Sequence, residues 1–165
     1  MSEVAHHTDA KLVVTRDDRA AQQVVTLRGQ IDDDAHLEGV ATDLDRPVVV
    51  DLEGITFMNS LGVRAWVLFL DALRQRNIPV TLRRCAETVV DHMNMIMEAR
   101  GHAGIESFYA PYTCDACGLE TRALLEVSRH GEALRRHQPP QLPCSACGGT
   151  MSYDDIPNRS LLFLD

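Results

Sequence analysis

"VVVDLEGITFMNSLGVRAWVLFLDAL", residues 48–73, decides the fold. Its opening VVVDL (48–52) is a nearly continuous β-branched run, the composition of a strand buried on both faces and therefore central in its sheet. "EGITFMNS" then reads as a loop. From Leu61 to Arg76 apolar residues dominate, and Arg64, Asp71, Arg74 and Gln75 share one narrow polar face, the pattern of a largely buried helix. Asn59 and Ser60 stand where that helix begins, with Gly62 two residues after the serine. Asn ranks among the best N-caps, so Asn59-Ser60 can serve purely as a cap. A hydroxyl at a helix start is also well displayed for modification, because a phosphate there meets free N–H groups and a favourable dipole. Both readings of Ser60 stay open at this point.

Outward from this junction, KLVVTR (11–16) and QQVVTLRGQ (22–30) alternate as strands around a DDRAA turn. Asp32 to Asp34 are placed to cap a helix whose Ala35, Leu37, Val40 and Leu44 face inward, and Pro47 ends it. NIPVTLRR (77–84) reads as another strand, AETVVDHMNMIMEARG (86–101) as a helix closed by Gly101, and IESFYAPY (105–112) as a last strand. The alternation predicts an α/β fold, a mixed β-sheet with helices packed against it. Trp66, Met93, Met97 and the lone Cys85 are expected in its core, with an adaptable methionine-rich docking face as the alternative for Met93 and Met97.

Near residue 110 the texture changes. HQPPQLP (137–143) blocks a helix, and TRALLEV (121–127) and SLLFL (160–164) look like short strands. We therefore expect one domain over 1–110 and a small β-rich module over 111–165. The module carries Cys114, Cys117, Cys144 and Cys147 as C-x2-C-x26-C-x2-C, with Gly118 and Gly148 after the second cysteine of each pair. Two thiolates two residues apart in a tight turn can reach one tetrahedral Zn²⁺, and a glycine can take the left-handed backbone that turns N–H groups toward sulfur. The gap exceeds the roughly 15–20 residues usual for such sites, but a strand hairpin fills it, as in the zinc ribbons this segment resembles. All four ligands are cysteines and leave no open coordination place, so the expected Zn²⁺ is structural. His130 and His137, between the pairs, are expected to be exposed.

The net charge is −8, and both parts are acidic: residues 1–109 hold 11 Lys and Arg against 17 Asp and Glu, and residues 110–165 hold 5 against 7. Nucleic-acid binders carry a basic field, so a protein partner is the better expectation. No apolar run approaches membrane-spanning length, and the N-terminus has no apolar signal region. A cytoplasmic protein follows, in whose reducing surroundings paired cysteines bind metal rather than form disulfides.

VVVDLEGITFMNSLG (48–62), together with LRGQID (27–32), resembles the STAS domain of bacterial anti-sigma factor antagonists and stressosome proteins over residues about 11–110. The family shows a strand, a phenylalanine-containing loop, and Asp-Ser-Ser/Thr-Gly opening a helix. The resemblance implies partner switching: a kinase-type anti-sigma factor binds the unmodified protein and phosphorylates the serine. On that pattern Ser60 is the phosphoacceptor and Gly62 the motif glycine. Asn59 replaces the family's Asp and Leu61 its second Ser/Thr, so a domain that docks partners without the switch is the competing reading. Function is thus expected to be regulatory binding, the ribbon serving a second protein contact or oligomerisation. A transcription-associated factor whose ribbon touches nucleic acid is the alternative. No phosphate loop, no Ser/His/Asp set and no open metal position argues for an enzyme.

Overall fold

The computed structural model describes the backbone of residues 4–9 and all of residues 11–165; the side chains of His6 and His7 lie outside the described residues. In chain order the elements are β1 (Val4–Asp9), β2 (Leu12–Asp18), β3 (Gln23–Ile31), α1 (Leu37–Thr42), β4 (Val48–Met58), α2 (Ser60–Gln75), β5 (Val80–Arg83) and α3 (Glu87–Met95). A 3-10 turn (Met97–Ala99), β6 (Gly104–Ile105), β7 (Ser107–Cys114), β8 (Glu120–Glu126), α4 (Val127–Arg135), β9 (Leu142–Pro143), β10 (Thr150–Tyr153), α5 (Pro157–Ser160) and a second 3-10 turn (Leu162–Leu164) complete the chain.

Six strands form a sheet in the order β1-β2-β3-β4-β5-β6, antiparallel from β1 to β3 and parallel from β3 to β6. This is the mixed sheet expected, with VVVDL at its centre. Residues 48–52 are all buried, as a strand covered on both sides requires. The stretch read as a loop is instead strand: β4 continues to Met58, and its last residues pair in parallel with β3 up to Ile31↔Met58. Two register shifts let it do so, and Gly54 sits where a Cβ would fall 2.4 Å from the Arg28 side chain. Strand pairing, which local sequence does not carry, overrides the weak strand character of EGITFM.

The cap expected at Asp32–Asp34 is also absent. Helix α1 starts only at Leu37, with His36 before it and no side-chain cap. Lys11 holds Asp32 and Asp34 instead, each at 3.0 Å, and the Asp34 amide donates to Asp32 Oδ1. The Lys11 hydrogen bond, foremost, keeps the Asp32 carboxyl below its ordinary range. The helix expected over 86–101 stops at Met95, where Ile96 turns extended, and Gly101 closes the following 3-10 turn with φ +56°. Met93 enters the core, but Met97 is 85% exposed. Trp66 is fully buried, donates to the Ala99 carbonyl at 2.7 Å and stacks on Phe69.

Strand β7 carries the chain across residue 110. Near its start, Phe108 bridges Cys85 beside β5, while along its whole length β7 belongs to a second sheet of order β8-β7-β10-β9. One apolar core includes Leu27, Val50 and Phe69 on one side and Tyr112, Leu134 and Phe163 on the other. The segment 160–164, expected as strand, is the end of α5 and a 3-10 turn. Pro157 opens α5, Phe163 meets Phe108 edge-on at 5.0 Å, and Asn94 on α3 bonds the Ser160 carbonyl and the Phe163 amide. Helix α4 was not expected; it buries only Gly131 and Leu134, too few apolar positions to show a period.

Candidate functional site

Ser60 is exposed and is the first residue of α2. Asn59 precedes it in extended conformation, and its Oδ1 accepts the Gly62 amide at 2.8 Å, the N-cap geometry. Gly62 is required by proximity: a Cβ there would lie 1.8 Å from the Ile31 carbonyl oxygen. The helix start is thus seated on the end of β3, and the Asn59 amide donates to that same carbonyl. Such seating leaves the serine hydroxyl outward on a fixed frame. Apolar side chains flank it, Phe57 46% exposed and Leu61 55% exposed.

Beside this start, α1 packs against α2, leaving an open groove of about 450 Å³. Asp33, Glu38 and Gly39 line one side, Leu61, Arg64 and Leu68 the other. Sequence reading placed Arg64 on a polar face but did not anticipate the groove. The signal was present in Leu61, Arg64, Ala65 and Leu68, which repeat at helical spacing along one face of a helix read as buried.

The second site is the cysteine cluster. All four Sγ atoms lie within 4.8 Å of one another, with Cys114 to Cys147 at 3.5 Å and Cys117 to Cys144 at 3.8 Å. A tetrahedral ion with bonds of about 2.3 Å sets sulfurs about 3.8 Å apart, so the four thiols fit such an ion. Both knuckles are built alike: the Gly118 amide reaches the Cys114 carbonyl and the Gly148 amide the Cys144 carbonyl, each at 2.9 Å with the glycine at φ near +70°. The amides of Cys117 and Ala116 turn to the Cys114 sulfur and lower its thiol to about 6, toward the thiolate that a metal takes. At Cys147 the Gly149 amide lowers the thiol, but the neighbouring sulfurs push it up further, a crowding that a cation relieves. Cys114 and Cys144 are buried, Cys117 and Cys147 exposed. His137 faces Asn158 and Asp165 instead of the cluster, and His130 is not part of it either; both are half-buried where exposure was expected.

A third arrangement went unread in the sequence. Asp51, 1% exposed inside VVVDL, is held by Arg83 at 3.0 Å and by Arg84, which also reaches Glu53 at 2.7 Å. The Tyr109 hydroxyl on β7 donates to Glu53, a bond that raises its pKa, and Arg122 lies over the Tyr109 ring. This network joins β4 and β5 to β7 and β8, so it is a structural tie between the two sheets.

Among the described residues no helix is long and apolar enough to cross a membrane. Residues 11–100, more than half of the chain, match the model of the STAS domain. No curated protein matches the chain.

Proposed function

The chain belongs to the STAS domain family, a family of regulatory protein-interaction modules, and from that premise we propose that it is a non-enzymatic signalling protein of the cytoplasm which docks a regulatory partner at the face around Ser60. One observation carries the reading: an exposed serine hydroxyl opens a capped, buried helix between two exposed apolar side chains, Phe57 and Leu61. Such a face suits a protein partner, and Ser60 suits its control.

In the switch, a serine-kinase-type regulator docks on the unmodified face. Ser60 Oγ attacks the γ-phosphorus of a nucleoside triphosphate, loses its proton, and the diphosphate leaves. The new phosphate adds about −1.5 to −2 charge at the N-terminus of α2, where the helix tolerates it, so the docking face changes while the fold persists. Asn59 makes the cap bond with its amide oxygen, which needs no carboxylate.

A second role goes with a functional division of the chain near residue 110. Residues 1–110 serve as the STAS unit, and residues 111–165 as a zinc ribbon held by Cys114, Cys117, Cys144 and Cys147. With four thiolates, Zn²⁺ has no place left for water and acts by folding the ribbon, which offers a second protein contact or an oligomer interface.

The test is capture from native cells with wild-type, Ser60→Ala and Ser60→Asp baits. A partner retained by the first two and lost by the third is the expected result. Identical partner sets for all three baits would overturn the switch and leave Ser60 as a cap.

A further inference from the structure

The groove beside Ser60 has walls of different chemistry. On α2, Leu61, Ala65 and Leu68 fall at i, i+4 and i+7, so an apolar stripe two turns long lies on a surface that nothing among the described residues covers. Leu61 is 55% exposed and Leu68 42%. On α1, Gly39 has nothing within 4 Å of where a Cβ would stand, so that wall is bare backbone with room in front of it. Residues 32–45 contain six carboxylates and no Lys or Arg. Lys11, Arg16 or Arg46 holds Asp32, Asp34, Asp43 and Asp45. Asp33 and Glu38, at the groove, have no side-chain partner among the described residues.

We propose that this groove takes an amphipathic helix of the partner, with apolar residues at i, i+3 or i+4 and i+7 seated on Leu61, Ala65 and Leu68, and with Lys or Arg residues lying along Asp33 and Glu38. The proposal rests on the reading that this face docks a regulatory partner, and it adds the chemistry of the docked segment. Helix-in-groove recognition uses that spacing of anchors, and the unpaired carboxylates set the sign of the charges that accompany them. Gly39 permits close approach of the incoming backbone. A second copy of this chain fits poorly: α4 carries Arg129 and Arg135, with Arg136 as its C-cap, but its Leu134 is fully buried and leaves no anchor to offer. An anionic membrane surface is disfavoured by the acidic wall.

The experiment selects random 16-residue peptides by mRNA display on the immobilised full-length protein loaded with zinc. The enriched peptides are then measured by fluorescence anisotropy. Gly39→Trp is the decisive variant, because it fills the groove from a position with open space and replaces a helix glycine, so thermal unfolding should not fall. Enriched peptides should show the apolar period and net positive charge. Gly39→Trp should weaken them by about tenfold or more. Asp33→Asn with Glu38→Gln should weaken them severalfold, and added salt should reduce the difference. No enrichment, enrichment of acidic or aperiodic peptides, or full-strength binding to Gly39→Trp overturns the proposal.

In the native capture assay the two readings separate. Partner capture that survives Ser60→Asp but is lost with Gly39→Trp upholds the groove and rejects the switch. Capture that is lost with Ser60→Asp but survives Gly39→Trp rejects the groove and leaves the switch standing.

Discussion

Strand β7 starts in one kind of stability and ends in another. Around its first residues, Phe108 and Ala110 share a core with Leu27, Ile31, Val50, Leu52 and Phe69, a set of side chains nearly all without solvent contact. Its last residue, Cys114, belongs to a cluster of four thiols, and the outer strand β8 beside it buries only Leu125. The first region has apolar density enough to fold by burial. The second adds fewer apolar residues to that same core, Tyr112, Leu134 and Phe163 among them, and its knuckles rest on a metal-sized tetrahedron of sulfur. The contrast predicts that the two regions answer differently to the same perturbations.

The largest expected effect is metal removal. Binding of zinc contributes on the order of 10 kcal/mol to folding in small zinc modules. Strong chelation, or Cys144→Ser, should therefore abolish the amide dispersion of the knuckles and of β9 and β10, while residues of β3, β4 and α2 keep theirs. The measurement is a pair of amide correlation spectra, zinc-loaded and stripped. Retained dispersion of the knuckles in stripped protein would break the comparison, and loss throughout would show that β7 couples the regions into one cooperative unit.

Asp51→Ala probes that coupling next. The substitution removes the shared carboxylate and leaves the Arg83 and Arg84 guanidiniums facing a sheet interior. Losing one partner of a buried ion pair costs about 3–5 kcal/mol, and the lower end applies because the arginines are partly exposed and Arg84 keeps Glu53. Urea unfolding should show a fall of about 3 kcal/mol in stability. A change under about 0.5 kcal/mol, the scale of an ordinary surface substitution, would mean the network is not a tie.

What the sequence made legible follows the same division. The central strand, the junction at Asn59-Ser60 and the cysteine knuckles are local patterns, and each stands where its pattern placed it. The misreadings required distant partners. Asp32 and Asp34 looked like caps because nothing near them names Lys11, which reaches them only after β2 has paired with β3. Glu53 to Met58 looked like a loop because its strand character comes from β3. SLLFL holds a run of four apolar residues, too short to tell strand from helix, and its place against Phe108 made it a turn. The groove was hidden for a different reason: an apolar period identifies a helix face, but not whether the protein itself covers that face.

Gly62→Ala reverses an ordinary rule. In an exposed helix, alanine is better than glycine by about 1 kcal/mol. Here the new methyl would meet the Ile31 carbonyl at 1.8 Å, and backbone on both sides must move apart. A loss of about 3 kcal/mol is expected by thermal or urea unfolding. An unchanged or raised stability would show that the start of α2 is not seated on β3, and the rigid display of Ser60 would fail with it.

The smallest effect isolates the cap from the hydroxyl beside it. Asn59→Ala removes the acceptor of the Gly62 amide and should lower stability by about 1 kcal/mol. Asn59→Asp keeps the acceptor and adds negative charge at a helix N-terminus, so it should hold stability or raise it by a few tenths of a kcal/mol. Ser60→Ala should do neither, since in the native geometry the cap bond belongs to Asn59. Equal losses in Asn59→Ala and Ser60→Ala would assign Ser60 to holding the helix. A loss confined to Asn59→Ala separates the two residues physically: Asn59 holds the helix start, and the Ser60 hydroxyl, which contributes nothing to the fold, is left free for a partner to modify.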